Sequence, residues 1–578
     1  SPKGGGELRL IRWRDGNTET ARLRLQTLGS YSETAPYRCE KSKRILEQGC
    51  RRIAERLGDP SVRQNPITRS LNGLALLASG DSEYHDLLKP EAEWAAGYSS
   101  DGFKTWWYGY VMMFLAEYAI ATGDDSVLPG LRRLALDAAR GQSIVGSWGH
   151  RFAGEDGRLI GYGMMNSPGI PLTIALVLAN KAGVGDPEVE RAVQRSTRLL
   201  EFYAGKGAIP YGDHHPWIQT HEDNGKCGMA AVLFNLLGER APATFFARMS
   251  LASHGAERDT GHTGNFFNVL WSMPAIARCG PHASGAWMEE FGAWYFDLAR
   301  RWDGTFVHQG PPGLRKDKYA GWDCTGAYLL SYAAPLGTIY LTGKAPAFVP
   351  EFDSATAAQT IADGRGWNNK DRQSAYDALG TGQLLARLES WSPVVRERAA
   401  MALGRRKDDV TEQLVALLDA PALDSRYGAC QALKQQRARA AGAVDTLRKA
   451  FQAKDLWLRV LAADALAGIG DPARVAIPDL LERLTQSDPE NDPRNMEQRY
   501  LSFALFNQRG GLLSRSLEGV DGELLFEAVR AGLQNEDGRA RGSYASVYRN
   551  LEYDQLKPLL PAIHRAIAEP APSGIMFA

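Results

Sequence analysis

The chain has 578 residues, more than one core accommodates, so two or three domains are expected. Lys plus Arg and Asp plus Glu both number 67, which leaves no global field to draw it to nucleic acid or to an anionic membrane. At 44% hydrophobic and 23% charged it reads as an ordinary globular protein, and no apolar run approaches the roughly 20 residues that span a bilayer.

The first residues, Ser1-Pro-Lys-Gly-Gly-Gly6, hold no signal peptide and read as the edge of a longer chain. Within residues 1–38, Leu8–Trp13 and Thr20–Leu25 alternate around Asp15-Gly16-Asn17, a β-hairpin signal. Two strands alone are not a stable domain, so they pack on the next part of the chain or stay loose.

Residues 39–344 read as helical throughout. Six apolar runs stop at Gly80, Gly123, Gly183, Gly238, Gly280 and Gly343, the left-handed residue that follows a helix. Between them lie more charged helices at Val127–Arg140, Pro187–Tyr203, Pro242–Ala252 and Ala286–Arg301, as an outer layer should be. Six pairs, inner and outer alternating, predict an all-α (α/α)6 toroid. Its parallel inner helices would gather their N-termini on one face, where converging dipoles favour anions. Three of those starts are crowded with reactive groups: His221-Glu222-Asp223-Asn224-Gly-Lys226-Cys227, Asp259-Thr-Gly-His262-Thr-Gly-Asn265, and Trp322-Asp323-Cys324. The second is expected to open a helix ending at Gly280, and the third one ending at Gly343.

Residues 345–370 read as a linker. In 371–578, Arg396, Arg426 and Arg459 each precede a leucine by seven, at Leu403, Leu433 and Leu466, which predicts a HEAT-type helical solenoid. Solenoids brace neighbours or bind protein partners. Nine of the ten histidines and eleven of the fourteen tryptophans lie at or before Trp322, so the chemistry is expected in the first domain.

With Gly146-Ser-Trp-Gly-His150, Asp223-Asn-Gly-Lys-Cys-Gly228 and His262-Thr-Gly-Asn-Phe-Phe267 in hand, the chain resembles a bacterial family of unknown function that joins a PDZ domain, an α/α toroid and HEAT-like repeats. The resemblance makes the hairpin the remnant of a PDZ domain and implies a periplasmic or extracellular location. It places the toroid in the broad class of terpenoid cyclases, protein prenyltransferases and polysaccharide hydrolases and lyases. The Asp-x-Asp-Asp run of cyclases is absent. A prenyltransferase-like zinc site could draw on Asp223, Cys227, His262, Asp323 and Cys324, but the Asp-x-Cys spacing is missing, and the expectation is that no metal or other cofactor is needed.

Glycan chemistry fits these residues best. Trp106, Trp107, Tyr108, Tyr162 and Trp322 offer aromatic platforms beside the polar helix starts. His150, Asn166, His221, Asn224 and Lys226 offer hydrogen bonds, as do Asp259, Asn265, His308, Lys318 and Tyr319. Glycoside hydrolysis needs one acid and one base or nucleophile. Glu222 or Asp223 against Asp323 is the expected pair, with His262 as a further catalytic candidate. The alternatives are a lyase acting on a uronate-containing glycan, with Tyr319 or His262 removing the proton, and a scaffold that binds carbohydrate or protein without chemistry.

Overall fold

The computed structural model describes residues 6–24, 27–59, 62, 64–99, 105–159, 161–259, 265–309, 319, 321–366 and 375–569. The chain is mostly helical, with one two-stranded antiparallel sheet at its start. Strands β1 (Glu7–Arg14) and β2 (Asn17–Arg24) pair from Glu7↔Arg24 to Arg14↔Asn17. Asp15 and Gly16 both take positive φ, the turn whose twist matches the strands. β1 is exposed along its whole length, and Trp13 keeps 74% of its surface in solvent.

The first helical region runs α1 (Glu40–Arg56), α2 (Pro66–Ala78), α3 (Tyr84–Ala96), α4 (Thr105–Thr122), α5 (Leu128–Arg140), α6 (Asn166–Lys181) and α7 (Pro187–Glu201). It continues through α8 (Lys226–Leu237), α9 (Arg240–Ala252), α10 (Phe266–Leu270), α11 (Ser272–Ile276), α12 (Pro281–Trp287), α13 (Ala293–Ala299) and α14 (Thr325–Ala333). Helix α2 packs on α4, α4 on α6, α6 on α8, α8 on α11, α11 on α14 and α14 on α2. These helices are buried almost all round, whereas α5 and α7 bury one stripe, which places them outside. All six expected glycine stops take positive φ. Several helical glycines allow backbones to touch, Gly326 and Gly228 among them. A Cβ on Gly326 would stand 2.5 Å from the backbone of Leu71 and Asn72, and one on Gly228 would stand 2.5 Å from the Trp271 carbonyl oxygen.

Four expectations on element boundaries need correction. The helix expected to end at Gly280 is broken at Trp271, because Pro274 cannot tolerate the carbonyl of Leu270 four residues earlier. The helix expected to reach Gly343 stops at Ala333 and passes into a short 3-10 turn at Ala334–Leu336, where Pro335 has no N–H to continue the ladder. The outer helix expected over 286–301 is interrupted by a π-helical turn at Met288–Gly292. The expected linker contains helix α15 (Ser354–Gly364), opened by the Asp353 carboxylate on the Thr356 N–H at 2.8 Å and packed on α9 and α12.

The C-terminal region follows as α16 (Thr381–Arg387), α17 (Pro393–Arg405), α18 (Thr411–Leu418), α19 (Leu423–Gln436) and α20 (Val444–Ala450). After these come α21 (Leu456–Ile469), α22 (Ile477–Thr485), α23 (Met496–Phe506), α24 (Gly522–Gly532) and α25 (Gly538–Ser543). Helices α17, α19, α21, α23 and α25 stack in that order. The repeating arginine is the fourth residue of each. Its guanidinium reaches back to carbonyls five or six residues earlier: Arg396 to Ser390 at 2.7 Å, Arg426 to Ala420 at 2.5 Å and Arg459 to Ala453 at 2.8 Å. Arg541 does the same to Asn535 at 2.6 Å, a copy hidden from the leucine spacing because Tyr548 stands seven residues on. Arg499 holds the equivalent place in α23, followed by Phe506, but its side chain turns to the first domain.

Candidate functional site

The segment between α7 and α8 carries the densest polar set, and it divides in two. Its first half faces the solenoid. Asp213 is fully buried, with Oδ2 accepting from Arg494 at 2.6 Å and Oδ1 from Arg499 at 3.0 Å. Burial pushes this carboxyl up, and the two guanidiniums more than reverse the effect, holding it well below the usual carboxylate range. Arg539 of α25 donates to the Asp213 carbonyl and meets the His214 ring. His221, a candidate for substrate binding, is also fully buried. Its backbone N–H donates to Glu257 at 3.0 Å, its Nδ1 lies 3.1 Å from the same carboxylate, and its Nε2 lies 2.8 Å from Ser392 Oγ. Arg398 of α17 pairs with Glu257 from the other side. Burial alone would raise Glu257; His221 and Arg398 bring it down to about 2.

The second half builds the start of α8. Asn224 and Gly225 both adopt left-handed backbone, and the chain doubles back over the helix end. Glu222 Oε1 accepts the N–H groups of Asp223 at 2.8 Å and Cys227 at 3.0 Å, and Oε2 accepts that of Gly228 at 2.9 Å. These are donors that a helix leaves without partners, so α8 brings its own anion. Glu222 has no solvent exposure, and burial raises its pKa. Lys226 is fully buried, and its Nζ donates to the carbonyl and to Oδ2 of Asp223, the latter at 2.6 Å. The Asp223 side chain keeps 12% exposure.

Around Asp223 lies an aromatic cluster. The Lys226 ammonium sits 5.9 Å from the ring of Tyr211, which meets Tyr162 at 6.0 Å, and Tyr162 meets His150 at 5.8 Å. Burial raises the Tyr211 hydroxyl, and neighbouring Tyr162, Tyr319 and Asp223 push it the same way, so those groups share one neighbourhood. Tyr319 packs on Trp322 at 4.8 Å, on Phe266 at 5.5 Å and on His308 at 5.5 Å. Trp106, at the start of α4, reaches Phe267 at 5.3 Å. Asp323 follows Trp322, its Oδ2 accepting from Asn72 and its Oδ1 from the Thr325 N–H, both at 3.0 Å. Asn265 donates to the Gln309 carbonyl at 2.7 Å, and Asn166 donates to those of Pro210 at 3.0 Å and Gly212 at 3.1 Å.

The structure thus gathers His150, Tyr162, Asp223, Lys226, Tyr319 and Trp322 with Trp106, and brings Asp323, His308 and Asn265 alongside. Three candidates are engaged elsewhere: His221 in the interdomain contact, Glu222 in its helix cap, and Tyr108 against Tyr98 and Phe152. Trp107 packs, half-buried, against the core, and Asn224 acts through its backbone turn. His262 and Lys318 lie outside the described residues, as does the side chain of Asp259. Phe266 and Phe267 were not among the candidate residues. The Phe-Phe pair directly after Asn265, at a polar helix start, was the available signal.

Of the zinc set, Asp223 is paired with Lys226, and Cys227 and Cys324 are fully buried. Burial, followed by Glu222, pushes the Cys227 thiol far up. Among the described residues no three His, Cys, Asp or Glu side chains form a metal-binding group. No described helix is long and apolar enough to cross a membrane.

No curated protein matches the chain. The crystal structure of an engineered protein is similar at 16% identity over 84% of this chain and 99% of that one, with a TM-score of 0.23, which bears on neither arrangement nor function. Residues 411–496 match HEAT repeats. Residues 42–343, more than half of the chain, match the family described as a domain of unknown function, DUF6288, and the protein belongs to that family.

Proposed function

We propose that α1–α14 close as a six-hairpin (α/α) ring and that its mouth hydrolyses a glycosidic bond. The packing order from α2 round to α14 and back supports the ring. The observation that carries the function is the aromatic lining, from Tyr162 and Tyr211 through Tyr319 and Trp322 to Phe267 and Trp106, beside Asp223 and Asp323. Aromatic faces stack on the C–H faces of sugar rings, and two carboxyl groups supply the acid and the base or nucleophile. Asp223, held against the Lys226 ammonium, suits the base or nucleophile, with Asp323 as its partner carboxyl. In the same reading the solenoid braces the ring or recruits a protein partner, and the hairpin is the remnant of a PDZ-like domain.

A panel of plant, algal and host polysaccharides, with products read by mass, tests this. Asp223→Asn should lower the rate by roughly 10²–10⁴-fold on whichever glycan is cut. Elimination is the second reading, favoured by the Tyr319 ring against His308 at 5.5 Å. A product carrying an ultraviolet-absorbing unsaturated uronate, with Tyr319→Phe as the lethal change, would replace hydrolysis by elimination. Tight binding to one glycan without cleavage of any would leave a binding module.

A further inference from the structure

We propose that the cleft between the two domains binds a small ring-bearing carboxylate, at a site separate from the mouth. The cleft has a volume of about 610 Å³, within the usual range for small-ligand sites. The end of α7 and the turn after it form one wall, with Arg198, Phe202 and Lys206; α9 adds Phe245, and the starts of α21 and α23 close the other side with Asp455, Trp457 and Asp492.

Lys206 is the group that asks for a ligand. It is half-buried, and among the described residues its Nζ has no carboxylate within ion-pairing distance. Its contacts are the Ala204 carbonyl at 3.4 Å and the face of Phe202 at 5.0 Å. Of the cleft's acids, Glu201 is exposed to solvent, and Asp455 and Asp492 are already engaged. Asp455 Oδ1 accepts the Leu458 N–H at 2.7 Å and the Tyr427 hydroxyl at 2.8 Å. Asp492 accepts the N–H groups of Met496 and Glu497, both at 2.8 Å. Arg494 is directed away, to Asp213 and Glu536. Arg198, on the same wall, is exposed and forms no ion pair among the described residues. A half-buried ammonium with no carboxylate at ion-pairing distance is costly, and burial depresses its pKa more than the more distant Asp455 and Glu201 raise it. An entering carboxylate would meet Lys206 and Arg198 together. The ring attached to it would lie along Phe202, which stands edge-on to Trp457 at 5.9 Å. Both domains supply walls, so the ligand would bind only the assembled chain.

This site does not depend on the reaction at the mouth. In the full-length protein, lysines are reductively methylated with ¹³C and followed by NMR, with the Lys206 signal identified by its loss in Lys206→Arg. Glucuronate and benzoate are the probes, and methyl glucoside is the uncharged control. The expected result is a saturable shift of the Lys206 signal with at least one acid and none with the glucoside. Its titration midpoint should rise by about one unit on binding, because an adjacent anion favours the charged amine. Affinity read by isothermal titration calorimetry, which needs no Lys206 signal, should fall about tenfold in Lys206→Met and stay unchanged in Lys89→Met, at an exposed position of α3. A response to glucuronate alone makes the ligand an acidic sugar, and a response to benzoate alone makes it an aromatic acid. No saturable response to either acid, or calorimetric binding that persists at unchanged affinity in both Lys206→Met and Lys206→Gln, overturns the proposal.

Discussion

The solenoid arginines stand in the first turn of their helices, and the acids of the first domain stand in the turns just before α8 and α14. The arginines do one job over and over: Arg396, Arg426, Arg459 and Arg541 each gather carbonyls from the preceding turn. The acids share no job. Glu222 satisfies its own helix, Asp223 holds a lysine, and Asp323 takes a side chain from α2 together with a local N–H. A residue repeated for a repeated reason is visible as spacing. A cluster assembled for several reasons looks, in sequence, like one site. Arg499 joins the two cases, being the repeat arginine that serves the other domain.

The largest expected effect tests that junction. Arg499→Ala leaves the fully buried Asp213 half-compensated and should cost about 3–5 kcal/mol in urea unfolding. A loss under about 1 kcal/mol, the size of an ordinary exposed pair, would make the interdomain contact incidental.

Next come two buried carboxyls with opposite pH signatures. Glu117 is raised to about 7 by burial, against backbone hydrogen bonds that lower it. Its folded state prefers the protonated form, so stability should be greatest below the ordinary glutamate range and decline as pH rises through about 7. The decline is on the order of 3 kcal/mol, and Glu117→Gln should abolish it. Glu257 is lowered to about 2, so its contribution is present above the ordinary glutamate range and lost as pH falls through about 2. Urea midpoints at pH 5 and 8 for Glu117→Gln, and from pH 5 down to 3 for Glu257→Gln, should separate the two.

A third test concerns backbone contact. Gly326→Ala places a methyl group 2.5 Å from the α2 backbone and should cost about 1–3 kcal/mol. Arg426→Ala removes only a half-buried guanidinium from a carbonyl at 2.5 Å, and about 1 kcal/mol is expected in the same assay. Deleting β1 and β2 should change thermal stability least of all, because β1 is exposed throughout. A drop of several degrees would mean that the hairpin packs on the helices after all.

The same contrast explains how much was legible. The six glycine stops were readable because each requires one backbone conformation that other residues resist. The solenoid was readable through three copies of its arginine, and the fourth and fifth escaped because the marker leucine had become Phe506 and Tyr548. The breaks at Trp271 and Ala333 were written in Pro274 and Pro335, but their effect runs against the apolar pattern around them. The candidate site was half legible. The residue types that gather around Asp223 stand at the expected helix starts, but sequence cannot tell an acid that caps from one that faces solvent. For Glu222 the deciding fact is three N–H groups within 3.0 Å, a property of the turn at Asn224 and Gly225.

The solenoid touches the first domain through Arg398 in α17, Arg494 and Arg499 at the start of α23, and Arg539 in α25. In a free-standing array, one unit added or lost in the middle merely changes the length. Here the first and fourth units must reach two fixed acids at once, Glu257 and Asp213. An inserted unit would carry Arg499 one layer past its acid while Arg398 stayed in place. The copy number between α17 and α25 is therefore indexed by the neighbouring domain, and helices beyond α25 fall outside that count.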